Sequence, residues 1–550
     1  MNKLLLRQLA FVFFLASLPN NLYAQAWEYF KHAGGGNWDM AYDMVSDNQG
    51  NLYMTGYFTD SLMFGNTKIK TERNEDVFIA KYDSDGNLIW VRAGGGPGFD
   101  YGYGISLDNQ GNSYVTGMVQ GNVTFDHVTV NRTSQDIFIA KYNSDGMLQW
   151  LEFAGGSNND ISYGIATDPN GNSYITGSTG GGSAFGTKML SPAGTFVAKY
   201  NSSGKIAWVK KYGGGGQEKG NKIVLDKSGH FFLTGEYNNT AFFGTTSLSS
   251  ISGSTDVFCA KADTSGNIMW VTSGGGDKWD NSGGIDIDQE GNVYCAGSFQ
   301  SVGTFGTQTL TAGSYYSIFI AKYNSNGNFV WAKKAGASCC DYANDIAVSQ
   351  QGDIFITGQY SYPGLFGSII LDGSSFYVYS NGNSYVAKYD ASGNALWATS
   401  GGPFPNNQGT FNTSDAVTVD NKGYVYYAGA FTGNFIYGAD QDTVIVNTVR
   451  DIYLAKIKDE DFIPTSTVTY NGGNKNFLLY PNPNQGSFAI KSFDSDDFNF
   501  EIVDMLGNII KNDFSQSGII EINGLSSGLY FLRIRKVDRD EIFSAKFIVE

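Results

Sequence analysis

The residues best able to do chemistry in this sequence are carboxylates set beside aromatic rings. Trp38-Asp39, Phe99-Asp100-Tyr101, Trp279-Asp280 and Asp341-Tyr342 repeat that arrangement, and Asp160 and Glu218 extend the acidic series. A ring beside a carboxylate suits sugar binding, because the ring stacks on the apolar sugar face and the carboxylate accepts hydroxyl hydrogen bonds. Carboxylates paired at about 5 to 10 Å would instead serve a glycoside hydrolase. Each use competes with a structural one. Six places share the acid, so capping of loop backbone is the leading expectation and an acidic mouth that attracts a cation the second. For Trp38 and Trp279 the leading expectation is a ring that fills a gap between structural units.

Other chemistries have little to draw on. The three histidines, His32, His127 and His230, are widely separated, which argues against a His-based zinc site or a Ser-His-Asp triad. Asp83-Ser84-Asp85-Gly86 resembles the start of a calcium loop but lacks the further oxygen ligands and the distal Glu, so a turn is expected there. No cofactor or metal is expected, calcium being the one candidate kept open. Cys259 and Cys295 fall inside strands and read as buried thiols; Cys339-Cys340 are adjacent in a loop, where a vicinal disulfide and two separate thiols both stay open.

The elements that must position these residues repeat. Ala-Lys recurs at Ala80-Lys81, Ala140-Lys141, Ala198-Lys199, Ala260-Lys261, Ala321-Lys322, Ala387-Lys388 and Ala455-Lys456. An aromatic-x-x-Gly marker keeps step with it, from Tyr53-Gly56 to Tyr426-Gly429. Each unit contains two Asp-x-x-Gly-Asn-type turns between strand-like runs, which predicts two hairpins per unit. Seven units of two hairpins predict an all-β, seven-bladed β-propeller with four-stranded blades. A Trp strand follows the first six Ala-Lys strands, at Trp90, Trp150, Trp208, Trp270, Trp331 and Trp397, and is missing after the seventh. Ala26-Trp27-Glu28-Tyr29-Phe30 supplies it, so the first mature strand is expected to close the ring as the outermost strand of blade seven. The seven lysines, present in every blade, read as scaffold: stems on apolar surface, each ammonium reaching a carboxylate of a neighbouring blade. The enlarged stretch Ser374 to Gly382 and Pro403-Phe404-Pro405 break the repeat and are candidates for a partner surface.

Residues 1–24 read as a signal peptide: Lys3 and Arg7, then an apolar core, then Leu22-Tyr23-Ala24. The apolar run is too short to span a bilayer, and no later segment is expected to do so. A net charge of −16 without a Lys/Arg cluster makes nucleic acid an unsuitable partner. The propeller is expected over 25–460, a linker over 461–475 and a small β-sandwich over 476–550, in a protein expected to be monomeric.

Two resemblances follow. The repeats, typified by Asp100 to Gly117 and Phe78 to Lys81, resemble the bacterial β-propeller repeat group, which implies a fold and no activity. The tail resembles the C-terminal sorting domain of the type IX secretion system of Bacteroidetes, through Tyr480-Pro481-Asn482-Pro483, Gly486, Gly524-Leu525-Ser526-Ser527-Gly528-Leu529-Tyr530 and Lys546-Phe547-Ile548. That implies export, recognition of the tail by an outer-membrane translocon, and delivery to the cell surface or medium. The expected function is a non-enzymatic binding or scaffold protein whose propeller recognises a glycan or a protein. A propeller-type polysaccharide lyase or hydrolase and a purely structural surface component are the alternatives. Deleting residues 476–550 should leave the protein inside the cell envelope, as read by fractionation; normal surface delivery of that truncation would overturn the sorting resemblance.

Overall fold

The computed structural model describes residues 26–214, 218–337, 340–361, 363–371, 382–401, 412–437 and 442–459. Of the tail it describes 477–480, 487–492, 498–504, 508–515, 519–523, 525, 528–536 and 542–549. The signal-peptide stretch, the linker, Cys339, most of Ser374 to Gly382, Pro403-Phe404-Pro405 and the tail residues Pro481, Asn482, Pro483, Gly486 and Gly524 lie outside them.

Each repeat folds into four antiparallel strands. In blade one these are Met40–Ser46, Leu52–Phe64, Thr67–Tyr82 and Leu88–Gly95. The turns behave as their residue types require. In the first, Asp47 Oδ1 accepts the N–H groups of Gln49 and Asn51, Oδ2 accepts the Asn51 amide, and Gly50 takes φ 89°. Both carboxylate oxygens are thus used inside the loop. The Phe64-Gly65 excursion continues the two middle strands as one long hairpin, which reaches the outermost strand of the preceding blade at Gly34↔Met63 and Gly35↔Leu62. Equivalent backbone links join blades one and two, two and three, and four and five.

The innermost strands run Met40–Ser46, Tyr101–Leu107, Asp160–Thr167, Lys219–Leu225, Asn281–Ile287, Tyr342–Val348 and Asn412–Val419; each neighbours the next, and the last neighbours the first. Seven blades therefore surround one axis. Blade seven consists of Asn412–Val419, Tyr424–Tyr437, Asp442–Lys458 and, as its outermost strand, Ala26–Gly35. The ring is closed by the N-terminal strand. Tyr29 occupies the place that Trp fills elsewhere: a β-carbon added to Gly86 would lie 2.8 Å from the Tyr29 ring, as one on Gly146 would lie 2.6 Å from Trp90.

The two repeat markers face each other. Tyr53 is paired directly opposite Lys81, and the same register recurs through Tyr426 opposite Lys456. Every Ala-Lys ammonium lies over its partner ring, at 4.7 Å for Lys199 over Tyr174 and up to 5.7 Å for Lys388 over Phe355. The expected blade-to-blade ion pair is corrected. Asp108, Asp226 and Asp353, which pair with Lys141, Lys261 and Lys388 at 3.6, 3.7 and 2.8 Å, belong to the lysine's own blade. Between blades the acceptor is a turn carbonyl. Lys81 Nζ and Trp90 Nε1 both donate to Ser144 O, and Lys322 and Trp331 both donate to Ala391 O. Lys456 Nζ donates to Ser84 O across the closing seam.

Contacts divide the chain into Trp27–Lys458 and a separate C-terminal unit from Asp459. The tail has a three-stranded sheet (Phe477–Tyr480, Ser487–Ser492, Ile519–Asn523) and a four-stranded one (Ile509–Ser515, Phe498–Asp504, Gly528–Lys536, Ile542–Val549). Ile509–Ser515 is unforeseen by sequence pattern, because an edge strand tolerates the polar run Lys511-Asn512-Asp513 that hides it.

Replacing Tyr29 by Ala should lower propeller stability by about 2 kcal/mol, since a half-buried ring is lost from the closing seam. Tyr29→Trp should restore it. Denaturant unfolding reads both, and an unaffected Tyr29→Ala would show that this ring does not hold the closure.

Candidate functional site

The inter-blade acids are buried. Asp39, Asp100, Asp160, Asp280 and Asp341 are fully covered and Glu218 nearly so. Each opens the innermost strand of a blade, where backbone donors converge on it. Asp100 Oδ2 accepts the Gly96 N–H and Oδ1 the Gln120 N–H, both at 2.8 Å. Asp160 is held likewise by Gly156 and Gly180, Asp280 by Gly276 and Gln300, and Asp341 by Ala337 and Ser361. Asp39 accepts from Thr59, and Glu218 from Gly214. One donor lies on the loop leaving the previous blade and the other on the second strand of the acid's own blade, so the carboxylate rivets the two together. These six residues do not form an acidic mouth. Asn412 takes the seventh equivalent place, its N–H bonded to Gly382 O, and a series defined by acidic residues passes over it.

The rings point the other way. Trp38, Phe99 and Trp279 are 59%, 43% and 66% exposed, and Tyr101 and Tyr342 are half-buried. Neither Trp38 nor Trp279 fills a gap between blades. Neighbouring residues at a strand start face opposite ways, so each proposed ring–carboxylate pair is split between solvent and core. The Arg450 guanidinium lies 4.9 Å from the Trp38 ring.

A second acid joins the rivet at four seams. Asp76, Asp136, Asp256 and Asp451, each four residues before the repeat alanine, are buried beside Asp100, Asp160, Asp280 and Asp39. A glycine stands between the partners: a β-carbon at Gly95 would lie 2.5 Å from Asp76 and 2.8 Å from Asp100, and Gly155 and Gly275 are similarly enclosed. Arg132 neutralises Asp136 at 2.7 Å. Burial pushes Asp39 and Asp280 up to about 8, Asp100 and Asp451 to about 7 and Asp256 to about 6, outweighing the donors that favour the charged forms of Asp39, Asp100 and Asp280.

The central channel holds residues that the repeat markers do not reveal. Every innermost strand has a bulge at the third residue after the rivet: Tyr42, Tyr103, Tyr163, Asn221, Gly283, Asn344 and Asp415. A bulge re-aims its side chain, and this layer is one-sided. Tyr42 and Tyr103 lie with centroids 5.0 Å apart and Tyr103 and Tyr163 5.2 Å apart, with Tyr57 and Tyr101 packed on the same arc. Asn221 continues the layer beside Tyr163, and Asn344 lies across from the arc in blade six; the Asn344 amide donates to Asp415 Oδ1 at 3.0 Å. One residue further along, Lys222 Nζ reaches Asp43 at 2.6 Å and Asp345 at 3.6 Å. Blades four, one and six are not neighbours, so this contact crosses the axis. The two carboxylates raise the Lys222 pKa despite burial, which keeps it charged. The usable signal in the sequence is variation at the third residue after each rivet, within a repeat that otherwise holds constant.

The raised carboxyl pKa values set a pH dependence. An unfolded aspartate releases its proton near pH 4, whereas these hold theirs to pH 6–8 in the folded chain, so the native state binds more protons between those limits. Stability is greatest on the acid side of that window and falls as pH rises through it. The thermal midpoint should be several degrees lower at pH 8.5 than at pH 5.5. Asp451→Asn, neutral throughout, should shrink the difference, and a midpoint that rises with pH would refute the assignment.

Residues 478–550 match the family model of the Secretion system C-terminal sorting domain, and residues 149–183 that of the Beta-propeller repeat. A curated protein of Acanthamoeba polyphaga mimivirus, described as an uncharacterized WD repeat-containing protein, is 25% identical; the match covers 78% of this chain and 38% of that protein. The chain thus spans little more than a third of that relative's length. Among solved structures, PorZ of Porphyromonas gingivalis, described as an essential bacterial surface component of the type-IX secretion system, aligns at 10% identity over 93% of this chain and 81% of its own, with a TM-score of 0.28. A gluconolactonase of Xanthomonas campestris aligns at 9% identity over 63% of this chain and 90% of its own, with a TM-score of 0.29. With a sorting tail at its C-terminal end and propeller repeats ahead of it, the chain is a secreted or cell-surface β-propeller protein.

Proposed function

We propose that the protein is a non-enzymatic binding module that holds a glycan at the inter-blade face of its channel. The observation that carries this reading is the one-sided arc of Tyr42, Tyr57, Tyr101, Tyr103 and Tyr163. Tyrosine offers a sugar an apolar ring to stack on and a hydroxyl to bond. Asn221 and Asn344 belong to the same layer, with their amide N–H groups engaged by Ser282 O and Glu236 and by Ser414 O, Thr413 and Asp415 respectively. Trp38, Phe99 and Trp279 add exposed rings on the loops of that face. The geometry favours a binder over a hydrolase, because the paired carboxylates at the seams are covered and one member of each pair already accepts backbone donors.

The test is binding of the purified protein to a broad glycan panel, with and without calcium. Tyr103→Ala and Trp279→Ala should each weaken binding about three- to tenfold, the size expected for one stacking contact. An absence of glycan binding, or variants that bind as the unmodified protein does, would turn the reading toward a protein partner or a structural role.

A further inference from the structure

Two of the four cysteines occupy facing positions of a single seam. Cys259 lies in the third strand of blade four, Thr255–Ala262, and Cys295 in the second strand of blade five, Val293–Phe305. They are 4% and 5% exposed and belong to one core cluster. The repeats show what normally stands there: Ile79 with Val115, Ile139 with Ile175, Val197 with Leu233, and Ile320 with Ile356, each pair again within one cluster. At this seam both branched aliphatic partners are cysteine. Two independent replacements would not be expected to meet; in this structure both are free, buried thiols, as the sequence predicts, and burial first, with the neighbouring Cys295 second, raises the Cys259 pKa.

We propose that Cys259 and Cys295 are joined by an inter-blade disulfide made during export. The sorting tail marks a secreted protein, and export leads through a compartment where protein disulfides form and persist. The co-reactant is a disulfide-bearing thiol oxidase. One cysteine thiolate attacks the oxidase disulfide and forms a mixed disulfide; the second then displaces the oxidase sulfur. The S–S bond joins Cys259 to Cys295, the oxidase leaves as a dithiol, and its two sulfurs take up the two electrons and two protons lost by the cysteines. Once the seam is closed, burial makes thiolate formation costly, so the bond forms while blades four and five dock. The blades are consecutive in sequence, and the crosslink needs no threading of the chain.

The experiment is peptide mapping of the full exported protein, alkylated under denaturing conditions without reductant. A crosslinked pair of peptides carrying Cys259 and Cys295, two mass units below their sum, is expected. Any crosslink between Cys339 and Cys340 falls in a different peptide and is read separately. Alkylation of both Cys259 and Cys295 would overturn the proposal, including the case where they become available only after a chelator removes a metal. As a second readout, reductant should lower the thermal midpoint by about 5 °C. It should have no such effect on a Cys259→Val, Cys295→Val variant. Equal response in both proteins would count against the bond.

Discussion

The fold depends on one cross-strand pair, a lysine over an aromatic ring, used seven times. The pair would stabilise a blade by itself, by about 0.5 to 2 kcal/mol for a partly desolvated ammonium over a ring. Its larger effect is directional. With its stem fixed over the ring, as in Lys81 over Tyr53, the ammonium points out of its own sheet toward the hairpin turn of the next blade, where Ser144 O waits. Trp90 delivers an indole N–H to the same oxygen, and the turn glycine, Gly146, leaves room for the indole beside it. A backbone carbonyl is a better target than a carboxylate for a contact repeated around a ring. It is supplied by the turn whatever its side chain, as Ser144, Ser202, Ser325 and Ala391 illustrate.

This explains how much could be read from sequence. Lysine, aromatic ring and turn glycine each recur with the unit, so blade composition and ring closure were legible before any coordinates. The inter-blade partner of Lys81, Lys322 and Lys456 was not, because a carbonyl leaves no mark in a residue string. The inter-blade acids cap loop backbone as their place among glycines predicts, but their burial was not legible. A loop aspartate among glycines looks exposed, and only the convergence of donors such as Gly96 and Gln120 on Asp100 shows that it is buried. The exposed rings were legible as aromatics outside the repeat, whereas the tyrosine arc was hidden. Tyr42, Tyr103 and Tyr163 share their bulge with Asn221, Gly283, Asn344 and Asp415, so no marker runs through them. Tyr29 stood one turn of reading away from Trp27 in the same strand, and only its packing on Gly86 identifies the ring that fills the Trp place.

The same rivets change the meaning of the acidic composition. A formal net charge of −16 counts every aspartate as ionised. Asp39, Asp100, Asp280 and Asp451 are covered by neighbouring blades, and burial raises each toward or above neutrality. Part of the negative charge therefore sits inside the seams or is held as protons, and the faces of the ring are less acidic than the composition suggests. Electrostatic attraction of cationic partners is a correspondingly weak argument for this protein.

What remains asymmetric lies along the axis, and there the charges set a limit on depth. A buried ion pair is seldom a net source of stability, since desolvation offsets the attraction between its members. Lys222 nevertheless spans the channel to Asp43 and Asp345, and the equivalent places in three other blades are Gly104, Gly164 and Gly284. Small residues there give the three long side chains room; a β-carbon on Gly284 would come within 2.8 Å of Asp345 Oδ1. The channel is thus crossed at that level by a charged bar, one layer beyond the bulges. On the proposed binding role, a ligand arriving from the inter-blade face would meet Tyr42, Tyr103, Tyr163, Asn221, Asn344 and Asp415, and would be stopped by Lys222 before the turns on the far side. Selectivity of such a site would then reside in that single layer and in the rings around its entrance, where the blades differ from one another most.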